Sequence, residues 1–269
     1  MVPSFYITGM TTVLIMTVYA LIVYGVMVLR NRYDIADSIR PLSGIIAVLI
    51  SYVLWDRGFD RGGYATMLVV IWGIHSIVHY VWVRRYTAVT DRLDGISEVS
   101  SRSWKWHLWM FGEIVVCSIF IMVLVALPVL LINTYTTDRG ITVWDIVGGL
   151  IWVIGYGYEV IADWQRITYM KDVTPMYTTI TSGLWHYSRH PDYWGEIMQW
   201  WGVYGIALAV PFGWIGIIGP LVITGFLVWQ AYMLEKKLRH DSSYNTYRQE
   251  TCSMIIPWFV RHNRDHDTL

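Results

Sequence analysis

Runs of about twenty apolar residues recur along this chain, and no other feature of the sequence restricts its fold as much. A helix of that length crosses a hydrocarbon layer of ~30 Å. In lipid only helices and closed barrels satisfy their own backbone polar groups. The runs fall near 7–29, 41–56, 63–83, 109–133, 143–163, 194–212 and 214–234. They predict an all-α polytopic membrane protein, a single domain of about seven transmembrane helices. The second run is short, and Pro211-Phe-Gly-Trp alone divides the last two, which therefore read as a tight hairpin. Ile7–Leu29 is too long for a signal-peptide core and lacks a basic leader or a small-residue cleavage site, so it is expected to be a retained first span.

The distribution of charge tests this layout independently. With the N-terminus outside and the C-terminus inside, seventeen of the twenty Lys and Arg residues fall in inner segments. Only Arg57, Arg61 and Arg139 are left outside. That asymmetry follows the positive-inside rule, and the sixteen tryptophans, many near span ends, suit an interfacial belt. Charged residues make up 15% of the chain and the mean hydropathy is +0.42, against roughly 25% charge in an ordinary soluble domain. Twenty acidic residues balance the twenty basic ones, so no concentrated basic face points to nucleic acid. Cys117 and Cys252 lie far apart and fit neither a disulfide framework nor a zinc site.

Two long polar connections, 84–108 and 164–193, and the tail from Lys236 share the inner face, where function is expected. Ionisable groups inside spans are costly and need an explanation. Glu159 and Asp163 are four apart and share a helix face. They read either as groups that snorkel to water or pair with Arg166 and Arg189, or as the polar wall of a ligand cavity. His75 and His79 also share a face, with Tyr80 adjacent. No third ligand accompanies them at helical spacing, so no metal is expected. A structural role and a substrate-polarising role both stay open. Glu113 stands alone in the fourth run.

The densest polar cluster runs from Ser182 through Trp185, Tyr187, Arg189, His190, Asp192 and Tyr193 to Glu196. Gly183 and Pro191 interrupt regular structure, and Pro191 suits the first turn of a helix. Arg189, His190 and helix N-terminal amides make a reasonable anion site. The aromatic rings offer flat faces for a planar group.

The stretch GLWHYSRHPDYWGEIMQWWG resembles the signature of the steroid 5-alpha-reductase family, in its short bacterial-type branch. This family is related to the isoprenylcysteine methyltransferase-like membrane fold. Glu159-Val-Ile-Ala-Asp163-Trp-Gln-Arg166 resembles another of its elements, as do His79-Tyr80 with Arg84-Arg85 and Tyr244-Asn-Thr-Tyr247 followed by Thr251. The resemblance implies seven spans and NADPH held by the last three with their inner loops, a cofactor half over 143–260. It assigns cofactor contact to Glu159, Asp163, Arg166, Tyr187, Arg189, His190, Asp192, Tyr193, Glu196 and Tyr247. It assigns Tyr80, with His79, to the carbonyl of an enone in a lipophilic, steroid- or isoprenoid-like substrate. The chain departs from the pattern at Asp192, usually Asn, in the Tyr80–Arg84 spacing, and at Asp91-Arg92-Leu93, which lacks a tyrosine.

Two other functions remain open. The isoprenylcysteine-type methyltransferases share an RHPxYxG segment and use S-adenosylmethionine. A reductase-like chain can also serve as a non-catalytic subunit of a larger membrane complex. The surroundings in every case are lipid: a bacterial inner membrane, the endoplasmic reticulum or the mitochondrial inner membrane.

Overall fold

The computed structural model describes residues 5–30, 36–55, 60–94, 104, 108, 111–112, 121–136, 140–172, 179–239, 242–251 and 253–257. Among these every regular element is helical. In order they are α1 (Phe5–Arg30), α2 (Ala36–Trp55), α3 (Arg61–Asp94), α4 (Met122–Val125), α5 (Leu127–Tyr135), α6 (Val143–Asp172), α7 (Pro191–Ala207), α8 (Ile218–Leu238) and α9 (Ser242–Glu250). Short 3-10 turns at Gly183–His186 and Gly213–Ile217 precede α7 and α8.

Four helical stretches are long and apolar enough to cross a membrane: Tyr6–Leu29, Arg61–Val83, Val143–Lys171 and Gly213–Leu238. Their composition is that of a multi-pass membrane protein. Met10 (74% exposed), Leu14 and Ile22 on α1 open an apolar surface that water would penalise and lipid would not. The expected second and sixth runs are also helical, as α2 and α7. The expected fourth run, 109–133, falls partly outside the described residues, as does Glu113.

Both polar connections expected from the sequence, 84–108 and 164–193, begin as helix. α3 continues to Asp94 and α6 to Asp172. Between Tyr80 and Asp94, and between Trp164 and Asp172, there is neither glycine nor proline. Extending a helix past the apolar layer costs less than ending it and leaving carbonyls unpaired.

The chain divides into two compact units. The first comprises Met1–Trp152 with Trp200–Ile223, the second Val153–Gln199 with Thr224–Leu269.

Local sequence sets the helix starts of the first unit. Asp60 caps α3, accepting the amides of Gly62 (2.8 Å) and Gly63 (3.2 Å). Thr142 and Asp145 cap α6 reciprocally, with the Asp145 carboxylate taking the Thr142 amide at 2.7 Å. The same carboxylate binds the Arg61 guanidinium at 2.7 and 3.0 Å, and Arg61 also donates to the Gly140 carbonyl. One buried ion pair therefore ties the starts of α3 and α6. Asn133 on α5 donates to Ser51 on α2 (2.7 Å) and Thr66 on α3 (3.3 Å), a second buried polar tie. Trp72 meets Trp200 edge-on, ring centroids 5.0 Å apart. Gly148 and Gly202 let backbones touch: a side chain added at Gly148 would lie 2.5 Å from the Gly202 carbonyl.

Candidate functional site

The second unit gathers the polar cluster that stands out in the sequence. The C-terminal half of α6 supplies a docking surface for the turn that follows it. Gly183 sits at φ +67°, where other residues are strained, and a Cβ there would lie 2.5 Å from the Gln165 amide. Gln165 accepts the Leu184 amide at 2.9 Å, and the Trp185 indole donates to the Ala162 carbonyl at 3.1 Å. The Arg166 guanidinium lies over the Trp185 ring, 5.9 Å from its centroid.

The segment after α9 straps this turn from its other side. The amides of Arg189 and His190 donate to the carbonyls of Ser253 (3.1 Å) and Met254 (2.9 Å). Ser188 donates to Ile255, and Thr251 donates to the His186 carbonyl. Tyr247 from α9 donates its hydroxyl to the carbonyls of Trp185 and Ser188. Two amides expected to be open to an anion at the start of α7 are thus already bonded, and Pro191 has none.

The guanidinium of Arg189 is also engaged. Its Nε and Nη2 reach the two carboxylate oxygens of Glu235 on α8, at 2.7 and 3.3 Å, and its Nη1 donates to the Thr251 carbonyl. Both side chains are almost fully buried, 7% and 6% exposed. His190 Nε2 stands 3.5 Å from the same carboxylate, and the exposed Arg248 stands 3.9 Å away. Glu235 thus binds α8 to the loop before α7.

Beside this pair opens a cavity of about 260 Å³. Its lining includes Arg166, Arg189, His190, Asp192, Tyr193 and Tyr247, six of the ten residues expected to contact a cofactor. Trp185, Tyr244, Ile180, Leu234 and Leu238 complete flat and apolar walls. The His190 and Tyr193 rings stack at 5.2 Å and 17°. Tyr187 is not in the lining; it is half exposed, with its ring against His186. Glu159 and Asp163 are buried on α6, and Glu159 accepts a hydrogen bond from Gln199. Glu196 bears on Glu159 electrostatically, as do Asp163 and Asp192, so this side of the unit is acidic.

Two residues of this lining carry a buried oxygen with no hydrogen-bond partner, Asp192 at Oδ1 and Tyr244 at its hydroxyl. Asp192 Oδ2 is 3.6 Å from Arg166 Nη1. Burial raises the Asp192 carboxyl above its usual range, and the Arg166 charge opposes that rise. Burial also pushes the Tyr244 phenol up to about 12 and raises Tyr247, so both stay neutral near pH 7.

The residues expected at the substrate carbonyl belong to the first unit. His79 and Tyr80 are half-buried on α3, and the His75 and His79 rings share a face with centroids 6.3 Å apart. The same unit holds a cavity of about 440 Å³ lined by Asp60, Arg61, Tyr64, Asp145 and Ile146, which the sequence does not single out.

The stretch 23–251, which holds every site residue expected from the sequence, matches a family described as protein of unknown function (DUF1295). The chain belongs to the DUF1295 family. The match runs to Thr251, the last side chain of the strap that bonds back to the Arg189 turn. No curated protein and no solved structure matched the chain.

Glu235 and Tyr244 are the site residues that sequence reasoning missed. Glu235 carried a signal, being a carboxylate at the C-terminal end of the last apolar run, where a charge needs a partner. Tyr244 opens the Tyr244-Asn-Thr-Tyr247 element of the resemblance, which assigned contact to Tyr247 alone.

Proposed function

We propose that this DUF1295 protein is a seven-span membrane oxidoreductase, N-terminus outside and C-terminus inside. It uses NADPH to reduce a carbon–carbon double bond conjugated to a carbonyl in a lipophilic, steroid- or isoprenoid-like substrate. One observation carries the reading. Side chains from positions 166, 189–193 and 247, far apart in sequence, converge on one cavity with flat aromatic walls and buried, unsatisfied polar atoms. A pocket of this kind is where a polar, partly planar ligand is expected. At about 260 Å³ it is smaller than the ~300–1,000 Å³ typical of whole-ligand sites, so it suits one section of a dinucleotide.

When bound, the reduced nicotinamide supplies a hydride to the β-carbon of the enone. The chain's own part is to hold the cofactor and to stabilise the charge that develops on the substrate oxygen. Arg166, Tyr193 and Trp185 orient the cofactor by stacking and charge. Tyr80, with His79 beside it, donates a hydrogen bond to the carbonyl oxygen as it becomes an enolate, the role of an oxyanion-hole donor. A proton from water then adds to the α-carbon and collapses the enolate to the saturated carbonyl compound.

Protein purified in detergent, given NADPH and a panel of steroid and isoprenoid enones, tests this. Consumption of NADPH matched by a product two hydrogens heavier is the expected result, abolished or lowered about 10²-fold in Tyr80→Phe. No turnover on any enone overturns the reductase reading.

A further inference from the structure

We infer that the cavity beside Arg166 takes an unphosphorylated ribose of its nucleotide, and that Asp192 accepts a hydrogen bond from that sugar's hydroxyls. The inference rests on the nucleotide reading proposed above and specifies which section of the ligand lies there.

The charges decide between a sugar and a phosphate. Arg189 spends its guanidinium on Glu235 and the Thr251 carbonyl. Arg166 stands beside Asp192 itself. The amides of Arg189 and His190 donate to the C-terminal strap. A phosphate seated here would find the Arg189 guanidinium and these two amides already taken, and the Asp192 carboxylate beside Arg166. Asp192, only 9% exposed, leaves Oδ1 buried and without a donor at the cavity wall. A buried acceptor of that kind is costly unless a ligand supplies the missing donor. A vicinal diol supplies two. Acidic side chains serve ribose hydroxyls in this way in dinucleotide folds. Tyr244, in the same lining, carries a second buried hydroxyl, beside Glu235 and Arg189. In NADPH the unphosphorylated ribose is the one that bears the nicotinamide. S-adenosylmethionine carries the same diol, so two cofactors share the recognised chemistry.

The test measures equilibrium binding to the purified full chain and to the variants Asp192→Asn and Asp192→Ala. The probes are NADPH, reduced nicotinamide mononucleotide, adenosine 2′,5′-bisphosphate and S-adenosylmethionine. The mononucleotide, with its free diol, should compete with NADPH. Asp192→Ala should weaken both about tenfold or more, the worth of a hydrogen bond to a charged group. Asp192→Asn, which keeps the shape and one acceptor oxygen, should recover part of that loss. The bisphosphate, whose 2′ position is blocked, should not respond to either change. NADPH binding that ignores both substitutions overturns the inference and leaves the reductase reading standing. Binding of S-adenosylmethionine alone, weakened by Asp192→Ala, supports the ribose site and overturns the NADPH reading. No binding of any probe to the folded chain overturns both.

Discussion

Removing the Glu235 carboxylate should cost a large share of the stability of the second unit, because it strands a buried guanidinium. Glu235→Ala leaves the Arg189 guanidinium buried with the Thr251 carbonyl as its remaining acceptor among those described here, and takes the nearby carboxylate from His190. Breaking a buried pair by deleting one partner costs about 3–5 kcal/mol, because the other charge stays desolvated. Against a total stability of about 5–15 kcal/mol that is a large share. In a chain of this size it corresponds to a fall in Tm of roughly 6–20 °C. Tryptophan fluorescence in detergent, followed during heating and denaturant titration, reports it directly. Two controls separate burial from charge. Arg248→Ala removes the exposed partner at 3.9 Å and should cost under ~1 kcal/mol, as surface pairs do. The double variant Arg189→Ala with Glu235→Ala should be less damaging than the sum of its parts, since neither charge is then stranded. A Glu235→Ala penalty no larger than that of Arg248→Ala would refute the claim that this pair holds α8 to the Arg189 turn.

Three further outcomes follow from the same geometry. Asp192→Asn should raise thermal stability at pH 7: the folded carboxyl titrates above its unfolded value, so the folded state loses stability as pH rises through that window, and the gain should fade as pH is lowered toward about 4. Equal gains at both pH values would contradict the assignment. Gly183→Ala should lower stability by about 1–2 kcal/mol for the left-handed φ alone, visible as a lower Tm, and Gln165→Ala added to it should not restore the loss. In a background with Cys117 and Cys252 replaced by serine, cysteines placed by Gly95→Cys and Thr137→Cys should react with an impermeant reagent from opposite faces of the membrane; labelling of both from one face would break the seven-span layout.

Much of the architecture is legible in the sequence because lipid imposes a length and an apolarity that one window of residues satisfies by itself. The helices α1, α3, α6 and α8 are of that kind. The start of α7 at Pro191 and the break at Gly183 are also legible, since each reflects the backbone preferences of one residue. The site is less so. Arg189 reads in sequence as a ligand group, and the structure engages it with Glu235, 46 positions away. Likewise Asp192 finds Arg166, and Tyr247 finds the carbonyl of Trp185, 62 positions away. Such pairings are set by which helix ends meet, and local periodicity carries no record of them. The helical extents of 84–94 and 164–172 were hidden for a different reason. Their polar composition signals water, and water does not end a helix that has no breaker.

The most direct test of the central claim is NADPH binding to the purified, folded chain, read by energy transfer from tryptophan to the reduced nicotinamide. The account predicts saturable binding that S-adenosylmethionine does not displace and that Asp192→Ala weakens about tenfold. A folded chain that gives no transfer at any NADPH concentration, or that binds S-adenosylmethionine in its place, would contradict it.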